Sequence, residues 1–117
     1  MIDKVLKIGV LFDFYGALLT EKQCQCVEMH YLNDLSLAEI AVEFNVSRQA
    51  VHDILKRAEQ ILFEYENKLG LAKRHACEQH AIEEVYELLN TLSTKYKLAP
   101  EFQEAMDKLS GLLEKEA

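Results

Sequence analysis

The chain is poor in residues that break regular structure. It holds a single proline, Pro100, and four glycines in 117 residues. Few turns are therefore signalled, and most of the chain is predicted to lie in regular elements. Long apolar runs are missing too. The longest, Ile8 to Leu19, is interrupted by Asp13 and falls short of the roughly 20 residues a bilayer-spanning helix needs, so no membrane insertion is expected. The opening Met-Ile-Asp-Lys shows no basic segment followed by an apolar core, so no secretory leader is read there. Cys24, Cys26 and Cys77 make an odd cysteine count. Without an export signal, that points to reduced thiols and a cytoplasmic protein.

Several chemistries lack their residues. There is no glycine-rich phosphate loop, which excludes a P-loop GTPase. No serine, histidine and acidic set carries the local signature of a hydrolase. Cys26 and His30, four apart, supply two metal ligands where a structural zinc site wants four; His75, Cys77 and His80 do not share one helical face. The chain is therefore expected to be non-enzymatic, with no cofactor and no metal.

What is present is globular. Half the residues are apolar and 28% are charged, a composition that can pay for folding with burial. The length suits one domain with one core, needing neither disulfide nor metal. The hydrophobic spacing is helical throughout. No strand-period alternation or internal repeat is visible, so a single all-α domain is expected over residues 1–117.

Residues 2–15 read as the first helix, with Val5, Ile8, Phe12, Tyr15 and Leu19 as its buried stripe and Leu11 and Phe14 on a second side. Thr20-Glu-Lys-Gln23 is a capping box that opens a helix to about Leu32, with Cys24, Val27 and Tyr31 inward, and Asn33-Asp34 supplies the turn. Ser36-Leu-Ala-Glu39 is a second capping box opening a helix over 37–44. Asn45 tolerates a left-handed turn, and Ser47 caps a long helix that runs to the glycine stop at Gly70. A further helix over about 73–96 carries a stripe of Ala81, Val85, Leu88, Leu89 and Leu92. A last one begins at Pro100 with Phe102, Met106, Leu109 and Leu113 on one face. The region 73–117 is thus a C-terminal helical extension.

Residues 36–58 carry the sharpest pattern, a helix-turn-helix. Ala41 supplies the small residue where two helices cross. Ile40, Phe44, Val46, Val51 and Ile54 are spaced to lock them, and the turn between is short. With Val51, Ile54, Leu55 and Ala58 inward, Arg48, Gln49, His52, Asp53 and Lys56 face out. Arg can pair bidentately with guanine and Gln with adenine, while Ser47, Lys56 and Arg57 can hold phosphates. The candidate nucleic-acid-binding set is therefore Ser47, Arg48, Gln49, His52, Lys56 and Arg57. Charge opposes it. The net charge is −7, and residues 20–46 carry one basic side chain against five acidic ones, although residues 47–58 carry three against one. Beyond Ala58, Ile61, Leu62, Tyr65 and Leu69 continue an apolar face that can pack within the chain or across a two-fold axis. Since helix-turn-helix readers commonly pair on symmetric half-sites, a homodimer is expected.

The segments Thr20-Glu-Lys-Gln, Tyr31-Leu-Asn-Asp-Leu-Ser-Leu-Ala-Glu-Ile-Ala41, Val46-Ser-Arg-Gln-Ala-Val51 and Lys56-Arg-Ala-Glu59 resemble the fourth region of bacterial sigma factors, which reads promoter DNA. With Leu11-Phe-Asp-Phe-Tyr-Gly-Ala-Leu-Leu-Thr20 ahead and Tyr65-Glu-Asn-Lys-Leu-Gly-Leu71 behind, the chain resembles more closely the YlxM family of Gram-positive bacteria and mycoplasmas. That resemblance implies a sigma-region-four-like helix-turn-helix. Genes of the family tend to sit beside that of the signal-recognition-particle GTPase. The resemblance therefore implies a regulatory role in that protein-targeting pathway, with the particle's GTPase, its receptor or RNA as partners. The alternative is a transcriptional regulator reading DNA through residues 47–58.

Overall fold

The computed structural model describes residues 2–114 and the side chains of residues 3–113. Among these there are six α-helices and no strand: α1 (Ile2–Tyr15), α2 (Glu21–Val27), α3 (Leu37–Phe44), α4 (Arg48–Leu69), α5 (Leu71–Lys95) and α6 (Pro100–Glu114). The all-helical architecture and its helix-turn-helix follow the sequence reading. The chain divides into two compact units, Met1–Ala72 and Lys73–Ala117.

The first unit is built around α4. Its buried residues Val51, Leu55, Ala58 and Leu62 recur every three or four positions, so one stripe of the helix meets α1, α2 and α3 in turn. Ile8, Leu11, Tyr15 and Leu19 face it from α1 and the turn that follows, Cys26 and Val27 from α2, Ile40 and Ala41 from α3. The α1 stripe differs from the expected one. Leu11 is core, while Val5, a turn ahead of the first covered residue, is 44% exposed. On α2 the buried cysteine is Cys26; Cys24 and Tyr31 are only half-buried. Burial raises the pKa of the Cys26 thiol, which suits a packing residue rather than a metal ligand.

The caps are where the residue types place them. Thr20 Oγ1 accepts from Gln23 N at 3.2 Å and Gln23 Oε1 accepts from Thr20 N at 3.0 Å. Ser36 and Glu39 make the same reciprocal pair at 3.1 and 3.0 Å. Asn45 and Gly70 close α3 and α4 in the left-handed region, at φ 54° and 62°. The expected continuous helix to Leu32 instead widens after Val27. Residues 28–32 form a π turn, with Asn33 N donating to Glu28 O, and Asp34 at φ 59° completes the reversal. His30 is committed here: its Nδ1 donates to Leu35 O at 2.8 Å and its ring meets Tyr31 edge-on.

Two tyrosine–carboxylate bonds fasten this unit, on glutamates seven residues apart along α4. Tyr31 donates to Glu59 Oε2 at 2.7 Å, and Lys4 Nζ lies 3.0 Å from Glu59 Oε1. Tyr15 donates to Glu66 Oε1 at 2.6 Å while its own oxygen accepts from Leu71 N at 3.1 Å; Ala72 N donates to the same Glu66 oxygen at 3.1 Å. The opening amides of α5, which have no partner within their own helix, are satisfied by this pair. The ring of Tyr65 stacks on Tyr15 at 5.9 Å between centroids. Burial, followed by the neighbouring carboxylate, raises the pKa of both the Tyr15 and the Tyr31 hydroxyl.

In the second unit, α6 presents the expected face: Met106 is buried, and Phe102, Leu109 and Leu113 are partly so. Of its expected stripe, helix α5 covers only Leu89 in part. Its partly covered residues are His75, Gln79, Ile82, Tyr86 and Leu89, whereas Val85, Leu88 and Leu92 are 47%, 73% and 41% exposed. The two stripes lie side by side on the helix, and spacing alone cannot choose between them.

Candidate nucleic-acid interface

The geometry of the motif follows from three short-range choices. Ser36 and its box start α3, Asn45 turns the chain, and Ser47 Oγ accepts from Ala50 N at 3.0 Å to start α4. The turn is held by Val46 N donating to Ala41 O at 3.0 Å. Ala41 is 8% exposed, and Ile40 and Val51 are fully buried, so α3 and α4 pack closely on one another through these residues' shared core. This crossing fixes which side of α4 faces solvent.

Arg48, Gln49, His52, Asp53 and Lys56 are all exposed, as expected. Arg48, Gln49 and His52 line one open hollow of about 340 Å³ with Leu37 of α3. Lys56 follows His52 one turn further along the same side. Arg57 is placed differently. Nine residues after Arg48, it falls about half a turn around the helix, and it lines a separate hollow with Ile61, Tyr65 and Lys68. Five of the six candidate residues thus share one side or its starting cap, and the sixth stands across α4.

One acidic group sits inside the strip. Gln49 Nε2 donates to Asp53 Oδ1 at 3.0 Å, and His52 Nδ1 lies 3.6 Å from the same oxygen. The sequence put Asp53 on this face; its contacts with two neighbouring reader candidates emerge only in the structure. Asp53 opposes phosphate and holds the Gln49 amide, while leaving the Gln49 carbonyl free to accept. Arg48 and Lys56 make no ion pair among the described residues, so both are available to a ligand. Among the described residues no cluster of three or more metal-ligating side chains exists, and no helix is long and apolar enough to cross a membrane.

A capped two-helix crossing that exposes the first turns of its second helix defines the class: a helix-turn-helix protein. Residues 2–102 match the family described as "UPF0122: Putative helix-turn-helix protein, YlxM / p13 like". The chain is 48% identical to a UPF0122 protein of Desulforamulus reducens over 93% of this chain and 89% of that one. It is 46% identical to a UPF0122 protein of Halalkalibacterium halodurans, over 84% of this chain and 90% of the relative. It is 45% identical to the UPF0122 protein YofM of Lactococcus lactis, over 88% and 90%. The chain belongs to the UPF0122, YlxM / p13-like family.

Proposed function

We propose that this protein is a non-enzymatic cytoplasmic regulator that contacts nucleic acid through the strip Ser47, Arg48, Gln49, His52 and Lys56, and that it acts in the signal recognition particle pathway. The observation that carries the nucleic-acid contact is the joint exposure of Arg48, Gln49 and His52 around one hollow at the start of α4, the part of a recognition helix that reaches base edges. The pathway rests on the family resemblance and on charge: a chain of net charge −7 favours a basic protein surface or a folded RNA offered with one over bare duplex DNA. Purified protein should alter the GTPase rate of the particle and its receptor and bind the particle's RNA. No rate change and no complex at saturating concentration would overturn the pathway.

The second reading is a DNA-binding transcriptional regulator using the same strip, and the outward Arg48–Gln49 pair favours it. A genome-fragment selection at low salt separates the two, since only this reading expects an enriched sequence. If Arg48 and Lys56 alone meet phosphates, log affinity should fall against log salt with a slope near about −1.8 per subunit; Arg57 joining them would bring it to about −2.7. Either reading is consistent with a homodimer. The exposed Val85, Leu88 and Leu92 side of α5 supports self-association there, and Leu88→Glu should shift a sedimentation profile to the monomer if so.

A further inference from the structure

The side of α4 opposite the recognition strip carries a second feature. A hollow of about 430 Å³ runs between the α1–α2 junction and α4, lined among others by Leu18, Gln23, Arg57, Ile61, Tyr65 and Lys68. Its apolar walls are accessible: Leu18 is 54% exposed, and Ile61 and Tyr65 are partly exposed. Cations mark its two ends. Arg57 and Lys68 are eleven residues apart, hence roughly 16 Å along the axis and on nearly the same side of the helix. Neither makes an ion pair or hydrogen bond among the described residues, in a protein with 20 acidic side chains to 13 basic ones. Besides Arg48 and Lys56 of the recognition strip, which are also unpaired among the described residues, the other cations on this unit are engaged: Lys4 on Glu59, Lys7 over Phe63 and Lys22 over Phe44.

We infer that this hollow is a docking groove for a short acidic segment of a partner protein, with an apolar side chain as its anchor. The complementarity is specific in layout. Leu18, Ile61 and Tyr65 supply an apolar floor that an aliphatic side chain can cover, and the Tyr65 ring is already stacked on Tyr15. Arg57 and Lys68 sit at a spacing that about five extended residues span, so carboxylates flanking three apolar residues reach both. Glu64 stands exposed between the cations and has no partner among the described residues. It repels a continuous line of phosphates, whereas a peptide whose charges lie only at its ends leaves it solvated. The groove is independent of the recognition strip, since Arg48, Gln49 and His52 line a different hollow.

The test uses the full chain, isotope-labelled, and the peptide acetyl-Glu-Glu-Leu-Leu-Phe-Glu-Glu-amide. Amide shifts should move at Leu18, Gln23, Ile61 and Tyr65 and stay unmoved at Arg48 and His52. The matching peptide with glutamine for glutamate should bind at least about tenfold more weakly, and so should the labelled peptide to Arg57→Gln/Lys68→Gln, whose circular dichroism should equal that of wild type. Arg48→Ala, which tests the strip, should leave peptide binding unchanged. Equal binding of the glutamine peptide, shifts elsewhere on the protein, or tighter occupation of the groove by oligodeoxythymidylate would each overturn the inference. If the double variant misfolds, the wild-type shift map and the glutamine peptide still decide it.

Discussion

Replacing Ala41 with leucine puts the helix-turn-helix under direct test. Ala41 is 8% exposed and its carbonyl accepts the amide of Val46 across the turn. Ile40, Val51 and Leu55 of the same core cluster are at most 3% exposed, which leaves little free room for added atoms. Leucine adds three heavy atoms to that contact, and overpacking of this kind costs about 1–3 kcal/mol. Against a total stability of roughly 5–15 kcal/mol for a domain, this is a large loss. A cost of about 2 kcal/mol corresponds to roughly 8–16 °C in melting temperature for a unit this small. Thermal unfolding followed by far-ultraviolet circular dichroism measures it, with Arg48→Ala as the companion. Arg48 is exposed and unbonded, so its loss should change stability by less than about 0.5 kcal/mol. If Ala41→Leu melts with wild type, the crossing does not sit at Ala41 and the assignment of an outward strip on α4 loses its basis. If Arg48→Ala melts much lower, Arg48 is structural and leaves the set of reader residues.

Three further outcomes are expected. The raised pKa of Tyr15 and Tyr31 means the folded protein holds the neutral phenol more tightly than the unfolded chain does; that stability is complete below the ordinary value of 10.0 and drains as pH rises past it, so Tyr15→Phe/Tyr31→Phe should flatten the alkaline fall in melting temperature, and an unchanged alkaline profile would refute the two bonds. Gly70→Ala should destabilise by about 1–2 kcal/mol because φ is +62° although space is free, whereas Gly9→Ala, in mid-helix with open space around it, should stabilise by up to about 1 kcal/mol; equal signs in urea titrations would refute the backbone argument. Asp53→Asn keeps an acceptor for Gln49 and removes the one charge that opposes phosphate in the strip, so nucleic-acid affinity at low salt should rise by about 3- to 10-fold in a filter-binding assay; no rise would mean the strip does not meet phosphate.

Much of the first unit was legible because local chemistry decides it. Thr20, Ser36, Asn45, Ser47 and Gly70 each act on backbone groups within a turn of themselves, and all five do in the structure what their residue types imply. What escaped was set by partners distant in sequence. The π turn at 28–32 has no signature in Glu-Met-His-Tyr-Leu, and it is fastened by Tyr31 reaching Glu59, 28 residues away. Tyr15 reads as one more apolar stripe residue until Glu66, 51 residues on, takes its hydroxyl. The position of Arg57 was within reach of helical arithmetic, because nine residues carry it half a turn from Arg48. On α5 two apolar stripes compete and share Leu89, and only burial by other elements separates Ile82 and Tyr86 from Val85, Leu88 and Leu92.

The net charge of −7 looks like an argument against a reader of nucleic acid, yet its weight depends on where the acids point. Four acidic residues lie on α4: Asp53, Glu59, Glu64 and Glu66. Glu59 is bound by Tyr31 and Lys4, and Glu66 by Tyr15 and the amide of Ala72, so two of the four are engaged with partners inside the fold. Glu64 borders the hollow on the far side. Only Asp53 shares the strip with Arg48 and Lys56. Nearby charges at physiological salt count far more than those beyond about 8 Å, the screening length. Among the α4 side chains, the strip therefore carries two cations and one carboxylate, while the acids on α2 and α3 lower the pull on a polyanion. If the strip meets nucleic acid, as proposed, a surface of that kind holds phosphate weakly, and its affinity must come from shape and from Arg48 and Gln49 on specific edges.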